Sequence, residues 1–230
     1  MPRHNSPHDA PILCYVTDRH GLGRAEPAGA CEMLLQRIAA AAAAGVDWIQ
    51  IREKDLSGRD CGELVGKALE RAASSTAGRS ASTRILVNDR LDVALVERAG
   101  GVHLGENSLP LREVRRLLNA DFQKSEFLAG VSCHSLEAAR AAASGGADYL
   151  FFGPVFHTPS KAAYGEPQGL TRLAEVCRAV SAPVLAIGGI TLENAGSCFS
   201  AGASGIAAIR LFQDAKNMPA LTQALRRAAS

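Results

Sequence analysis

Val184-Leu185-Ala186-Ile187-Gly188-Gly189-Ile190-Thr191 holds in eight residues the transition on which the fold turns. Four apolar residues, the length of a fully buried strand, run into a glycine pair. Helical composition follows over 192–200, then Ala201-Gly202-Ala203-Ser204, then a second apolar run at 206–209. A strand, a helix and a strand joined this closely make a β-α-β unit, whose two strands run parallel.

The same alternation extends outward from this unit. Short apolar runs lie at 12–16, 48–51, 85–87, 102–104, 128–131 and 149–152, and helical segments at 28–44, 59–74, 91–99, 111–118, 136–144, 170–180 and 219–229. Eight strands alternating with helices predict an α/β protein built as a single (β/α)8 TIM barrel rather than an open doubly wound sheet. Ala44-Gly45-Val46-Asp47, Ala99-Gly100-Gly101-Val102, Gly145-Gly146-Ala147-Asp148 and Ala201-Gly202-Ala203-Ser204 each precede an even-numbered strand, where glycine ends a helix. The Gly/Ser-rich stretch 74–83 fits a surface loop better than a domain boundary. Residues 12–230 are therefore expected to form one domain, and the polar segment 1–11 a frayed tail without the apolar core of a secretory signal.

Composition narrows the function classes. Of 230 residues 47% are hydrophobic and 21% charged, an ordinary globular balance, and the net charge of +2 supplies no field for nucleic acid or an anionic membrane. The longest apolar stretch, 38–46, is far short of a membrane span. Six scattered cysteines without C-x-x-C spacing predict reduced thiols and a cytoplasmic protein. Self-association is left open.

Barrel enzymes carry their chemistry at the C-terminal ends of strands. Strand two runs on into Gln50-Ile51-Arg52-Glu53-Lys54, and its alternation puts Gln50, Arg52 and Lys54 on one side, opposite Ile49 and Ile51. With the isoleucines under the helices, two cations and an amide face the mouth and invite a phosphate or diphosphate; a surface salt-bridge cluster is the competing reading. Strand three ends Asn88-Asp89-Arg90, in which Asp89 reads as a Mg2+ ligand or as a turn residue. Strand five ends Ser132-Cys133-His134-Ser135, where His134 suits acid-base work or a structural role, and Ser135 a helix cap. After strand six, Thr158-Pro159-Ser160-Lys161 reads as a phosphate-contacting loop or a solvated turn. Gly188, Gly189, Ile209 and Arg210 follow strands seven and eight, the common phosphate site of such barrels.

In chain order, Gln50-Ile-Arg-Glu-Lys54, Asn88-Asp-Arg90, Gly101-Val-His-Leu-Gly105, Gly130-Val-Ser-Cys-His134, Gly153-Pro-Val-Phe156, Thr158-Pro-Ser-Lys161 and Ile187-Gly-Gly-Ile190 resemble the thiamine phosphate synthase family. The resemblance covers the chain from Tyr15 to Ile209. It implies a transferase of thiamine biosynthesis that joins a hydroxymethylpyrimidine diphosphate to a thiazole phosphate, releasing pyrophosphate with Mg2+. It further implies that Gln50, Arg52, Glu53, Lys54 and Asn88 hold the pyrimidine diphosphate, with Ser132 near the pyrimidine. Thr158, Pro159 and Ser160 would line the thiazole side, and Lys161 would reach the diphosphate. Gly188, Gly189 and the backbone around Ile209 and Arg210 would take the thiazole phosphate. Asp89 would hold the metal, with Ser108 at the second ligand position. Catalysis would rest on Arg52, Lys54 and Lys161 as charge neutralisers, because an aminopyrimidine methylene can lose diphosphate without a protein nucleophile.

Two positions depart from the family pattern. Ser108 stands where the family has an aspartate, and Arg210 where it commonly has a serine. A tautomerase branch of the same superfamily, which uses a histidine at the position of His134, is the alternative activity. A non-catalytic phosphate-binding paralogue is the third reading.

Overall fold

The computed structural model describes residues 10–23, 27–76, 83–105, 107–121, 127–158 and 166–229. All eight expected strands form: β1 (Ile12–Val16), β2 (Trp48–Ile51), β3 (Arg84–Asn88), β4 (Gly101–Leu104), β5 (Leu128–Cys133), β6 (Tyr149–Phe152), β7 (Val184–Ile187) and β8 (Gly205–Ala208). Every neighbouring pair is parallel, and β8 pairs with β1, so the sheet closes into a barrel. Around it lie α1 (Pro27–Ala43), α2 (Gly58–Ser75), α3 (Leu91–Val96), α4 (Leu111–Asp121), α5 (Leu136–Ser144), α6 (Gly169–Ala179), α7 (Leu192–Ser200), α8 (Arg210–Gln213) and α9 (Met218–Arg227). No helix among the described residues is long and apolar enough to cross a membrane.

Strand alternation sorts the apolar residues into two layers. Leu13, Tyr15, Ile49, Ile51, Ile85 and Val87 turn outward under the helices, while Cys14, Val16, Leu86, Tyr149, Phe151, Leu185 and Ala207 fill the barrel. The lower interior is aromatic, with the Trp48 and Tyr149 rings 4.7 Å apart. Gly130 makes room for it, since a Cβ there would lie 2.0 Å from the Tyr149 ring.

The glycines before the even strands serve one repeated helix ending. Val46 N–H donates to Ala41 O (3.0 Å), Ala147 to Ala142 (3.0 Å) and Ala203 to Cys198 (3.1 Å), each next to a left-handed glycine: Gly45, Gly146 and Gly202. In the fourth case Ala99 donates to Ala94 (2.9 Å), but the left-handed residue is Arg98, at φ 55°. Gly100 and Gly101 stand there for another reason: a Cβ on Gly101 would sit 2.3 Å from the Leu128 carbonyl oxygen.

The echo extends to side chains. Asp47 accepts from Leu13 N and pairs with Arg226, which also donates to Gly45 O; Asp148 accepts from Ala129 N and pairs with Arg115, which also donates to Gly146 O. Arg226 donates in addition to Pro11 O (2.6 Å). Pro11 is buried; residues 1–9 of the expected tail lie outside the described residues.

Two short elements escape the periodicity, a 3-10 turn at Arg19–Leu22 and α8. Because β8 ends at Ala208, Ile209 and Arg210 leave the sheet, and Arg210 opens α8 instead of extending the strand.

Candidate active site

The β2 end divides its polar residues between two tasks. Gln50 points into the barrel and is buried, Arg52 is half-buried, and Lys54 is exposed. Neither Arg52 nor Lys54 enters an ion pair among the described residues, so the competing salt-bridge reading belongs to their neighbours. Glu53, with its side chain 1% exposed, accepts from Thr17 Oγ1 (2.6 Å), Arg19 N–H and Arg19 Nη1 (3.0 Å). The Arg19 guanidinium also grips Asp55 and holds its carboxyl well below the usual carboxylate range. Thr17 Oγ1 in turn accepts from Arg52 N–H (2.9 Å). The Glu53 carboxylate is held by Thr17 and Arg19, and through Thr17 it braces the backbone that carries Arg52.

At the β3 end a line of amides runs toward one carboxylate. Gln50 Nε2 donates to Asn88 Oδ1 (2.8 Å) and Asn88 Nδ2 to Asp89 Oδ2 (2.6 Å). A carboxylate only accepts, so Asp89 orients both amides and leaves the Gln50 carbonyl oxygen for an incoming donor. Asp89 itself sits at φ 62°, a left-handed conformation unusual for aspartate, next to the Asp89 N–H to His103 O bond (2.9 Å). Its Oδ1 meets the Ser108 hydroxyl, and Gly105 N–H points at both, 2.6 Å from Ser108 Oγ. The two expected metal positions, far apart in sequence, are thus in contact.

His103, inside Gly101-Val-His-Leu-Gly105, is a buried residue of the barrel interior that the sequence pattern did not assign to the site. Its Nδ1 lies 3.1 Å from Tyr149 Oη and its Nε2 2.9 Å from Ser132 Oγ, with the Phe151 ring 4.1 Å away. Burial lowers its pKa to about 3, opposed by Asp89 and reinforced by Arg52, so the imidazole is neutral. The available signal was strand parity: in Gly101-Val102-His103-Leu104 the apolar residues face out, which turns His103 inward.

His134 follows β5 and contacts the Gly153 carbonyl oxygen through Nδ1, holding its ring across the ends of β5 and β6. Ser135 caps α5 by accepting from Ala138 N–H. Thr158 is half-buried beyond β6; Pro159, Ser160 and Lys161 lie outside the described residues.

The β7 loop is pressed against the β6 loop. Val155 N–H donates to Ile187 O (2.9 Å) and Phe156 N–H to Gly188 O (3.0 Å). Gly188 and Gly189 both have positive φ, and a Cβ on Gly189 would sit 2.5 Å from the His157 carbonyl oxygen. Asn194, in a capping box with Thr191, donates to Gly189 O (2.9 Å). Half-buried Ile209 and exposed Arg210 stand beside this loop at the start of α8. Loops after strands seven and eight with a short extra helix are the usual phosphate cradle of the fold. A separate groove of about 730 Å³ opens on the outer surface between α2 and α3, lined by charges of both signs such as Glu63, Lys67 and Glu97.

A family model described as thiamine monophosphate synthase matches residues 23–212. A putative thiamine-phosphate synthase of Geobacter sulfurreducens is 43% identical over 197 residues, 86% of this chain and 84% of that protein. The thiamine-phosphate synthase of a Roseiflexus species is 40% identical over 219 residues, 95% of this chain and 85% of that one. Among solved structures, a thiamine phosphate pyrophosphorylase from Pyrococcus furiosus superposes with a TM-score of 0.76 at 29% identity, covering 95% of each chain.

Proposed function

The chain belongs to the thiamine monophosphate synthase family, and from that membership we propose how its own rim residues serve the family's reaction. It is a transferase that joins hydroxymethylpyrimidine diphosphate to a thiazole phosphate with release of pyrophosphate. The observation that carries the residue assignment is the division of one mouth. Cations that enter no ion pair among the described residues and an oriented carboxylate lie after β2 and β3, and a glycine-lined loop beside a short helix lies after β7 and β8.

Arg52 and Lys54, with Lys161, neutralise the departing diphosphate, while Gln50 and Ser132 hold the pyrimidine. The brace of Thr17, Arg19 and Glu53 fixes Arg52 before substrate arrives, so little ordering remains to be done in the transition state. Gly188, Gly189 and the backbone at Ile209 and Arg210 receive the thiazole phosphate, with the Arg210 guanidinium replacing a serine hydroxyl as a charged contact. Thr158, Pro159 and Ser160 line the thiazole side; the C–O bond to the diphosphate breaks to leave a carbocation stabilised by the aminopyrimidine, and the thiazole nitrogen adds to it.

Asp89 supports Mg2+ as a single carboxylate that can share the ion with diphosphate oxygens, whereas the Ser108 hydroxyl adds no charge. Among the described residues no group of three His, Cys, Asp or Glu is arranged to hold a metal unaided. The donor set suits an ion that arrives with the diphosphate, and when bound it would offset charge on the leaving group. All six cysteines are free, in keeping with a reducing cytoplasm.

The deciding experiment incubates the purified protein with both phosphorylated precursors over a Mg2+ series and measures thiamine phosphate and pyrophosphate. Equimolar products are expected; no product at any metal concentration overturns the reading. Isomerisation of the carboxythiazole phosphate that is lost in His134→Ala would point to the tautomerase instead.

A further inference from the structure

Ser132 ends a chain of three hydrogen-bonding groups that begins in the closed aromatic floor of the barrel. Tyr149 is fully buried, and among the described residues its phenol has one hydrogen-bond partner, His103 Nδ1, at 3.1 Å. His103 is 2% exposed and has one further partner, Ser132 Oγ, at 2.9 Å from Nε2. The phenol and the imidazole are both enclosed, and the two ring nitrogens meet hydroxyls rather than a carboxylate, so as neutral groups the three side chains have three protons to serve two hydrogen bonds and one outward position.

Only two arrangements exist. If Ser132 donated inward to Nε2, the imidazole proton would sit on Nδ1 and point at the phenol oxygen, leaving the Tyr149 proton buried without an acceptor among the described residues. An unmade buried donor carries a full desolvation penalty. The other arrangement satisfies every group: Tyr149 O–H donates to Nδ1, Nε2–H donates to Ser132 Oγ, and the serine proton is left for the mouth.

We propose that Tyr149 and His103 are positioning residues that fix Ser132 as an obligatory hydrogen-bond donor, so that the site selects a heteroaromatic ring presenting a nitrogen lone pair to it. This rests on the assignment of Ser132 to the pyrimidine. It makes the buried floor of the barrel a determinant of substrate choice at the mouth.

The tautomer is measurable without substrate. In ¹⁵N-labelled wild-type protein, with His103 assigned through the backbone, ring ¹⁵N shifts should report the proton on Nε2 at neutral pH; a proton on Nδ1 overturns the proposal. Tyr149→Phe keeps the ring packing and removes the phenol proton, and should yield a mixture of tautomers, whereas an unchanged pure Nε2–H form would deny Tyr149 its part.

Selectivity is tested with the two pyridine diphosphates in which one or the other ring nitrogen of the pyrimidine is replaced by C–H. One of them should lose roughly tenfold to a hundredfold in kcat/KM, chiefly through KM, and Ser132→Ala should erase its difference from the natural substrate. Equal use of both pyridines and the pyrimidine by wild-type protein refutes donor selection. Failure to turn over the natural pair would instead undo the functional reading, leaving the tautomer result standing by itself.

Discussion

Replacing Thr17 by valine tests whether the β2 loop is held by hydrogen bonds or by packing. Thr17 is fully buried, donates to Glu53 Oε1 at 2.6 Å and accepts from Arg52 N–H at 2.9 Å. Valine has nearly the same shape and removes both bonds. A hydrogen bond to a charged group contributes about 1.5–3 kcal/mol, and an abandoned buried N–H costs about 1–3 kcal/mol. The extra buried methyl returns roughly 0.8 kcal/mol. The net loss is about 2–5 kcal/mol, which for a domain of this length lowers Tm by roughly 5–15 °C. Thr17→Ser keeps both bonds and deletes one methyl, costing about 1 kcal/mol.

The order of the two variants is therefore the opposite of what apolar packing would produce. Calorimetry and urea unfolding measure it directly. Because Arg52 is displaced with its N–H, kcat/KM of Thr17→Val should also fall, on the order of a hundredfold for a shift of about 1 Å. A valine variant as stable and as active as the serine variant would refute the brace.

The other predictions concern separate parts of the barrel. Arg98→Gly relieves the one left-handed arginine in the repeated helix ending, and urea unfolding should show a gain of about 0.5–1 kcal/mol after the higher unfolded-state entropy of glycine is counted. His103 has a folded pKa of about 3 against 6.5 in the unfolded chain, so the unfolded state binds the extra proton first. Its contribution to stability is complete above pH 6.5 and is lost progressively as pH falls from 6.5 toward 3; a flat stability profile across that window contradicts a buried neutral imidazole. Asp55 is held low by Arg19, so its contribution is present above the ordinary value of 3.8 and fades at lower pH, and Asp55→Asn should remove that acid-limb dependence. Ser108→Asp sets a second carboxylate against Asp89, and electron paramagnetic resonance of added Mn2+ should show tighter binding to the substrate-free protein than in wild type.

The fold was legible because parallel buried strands are continuous apolar runs and their helices end in glycine. Boundaries moved where local pattern gives way to neighbours: β5 reaches Cys133 because it pairs with β6 through Ser132 and Cys133, and Ile209 leaves the sheet because β8 stops pairing at Ala208. The four residues of α8 are too few to show a helical period. Of the site, Gln50, Arg52, Asp89 and Ser132 could be read from their places at strand ends. The partners of Glu53 were not legible, because spacing along the chain does not reveal that Arg19, 34 residues earlier, pairs with its carboxylate.

Sequence alone determined the barrel, the polar rim and the family, since each depends on residue type and spacing along the chain. Tertiary structure decided which polar groups are committed to one another. It joined Glu53 to Thr17 and Arg19, set Ser108 against Asp89, and tied Tyr149 through His103 to Ser132. The physical reason is that hydrogen bonds are saturable: a side chain's chemistry toward a ligand is what remains after its buried neighbours have taken their share, and barrel closure brings those neighbours together from distant strands.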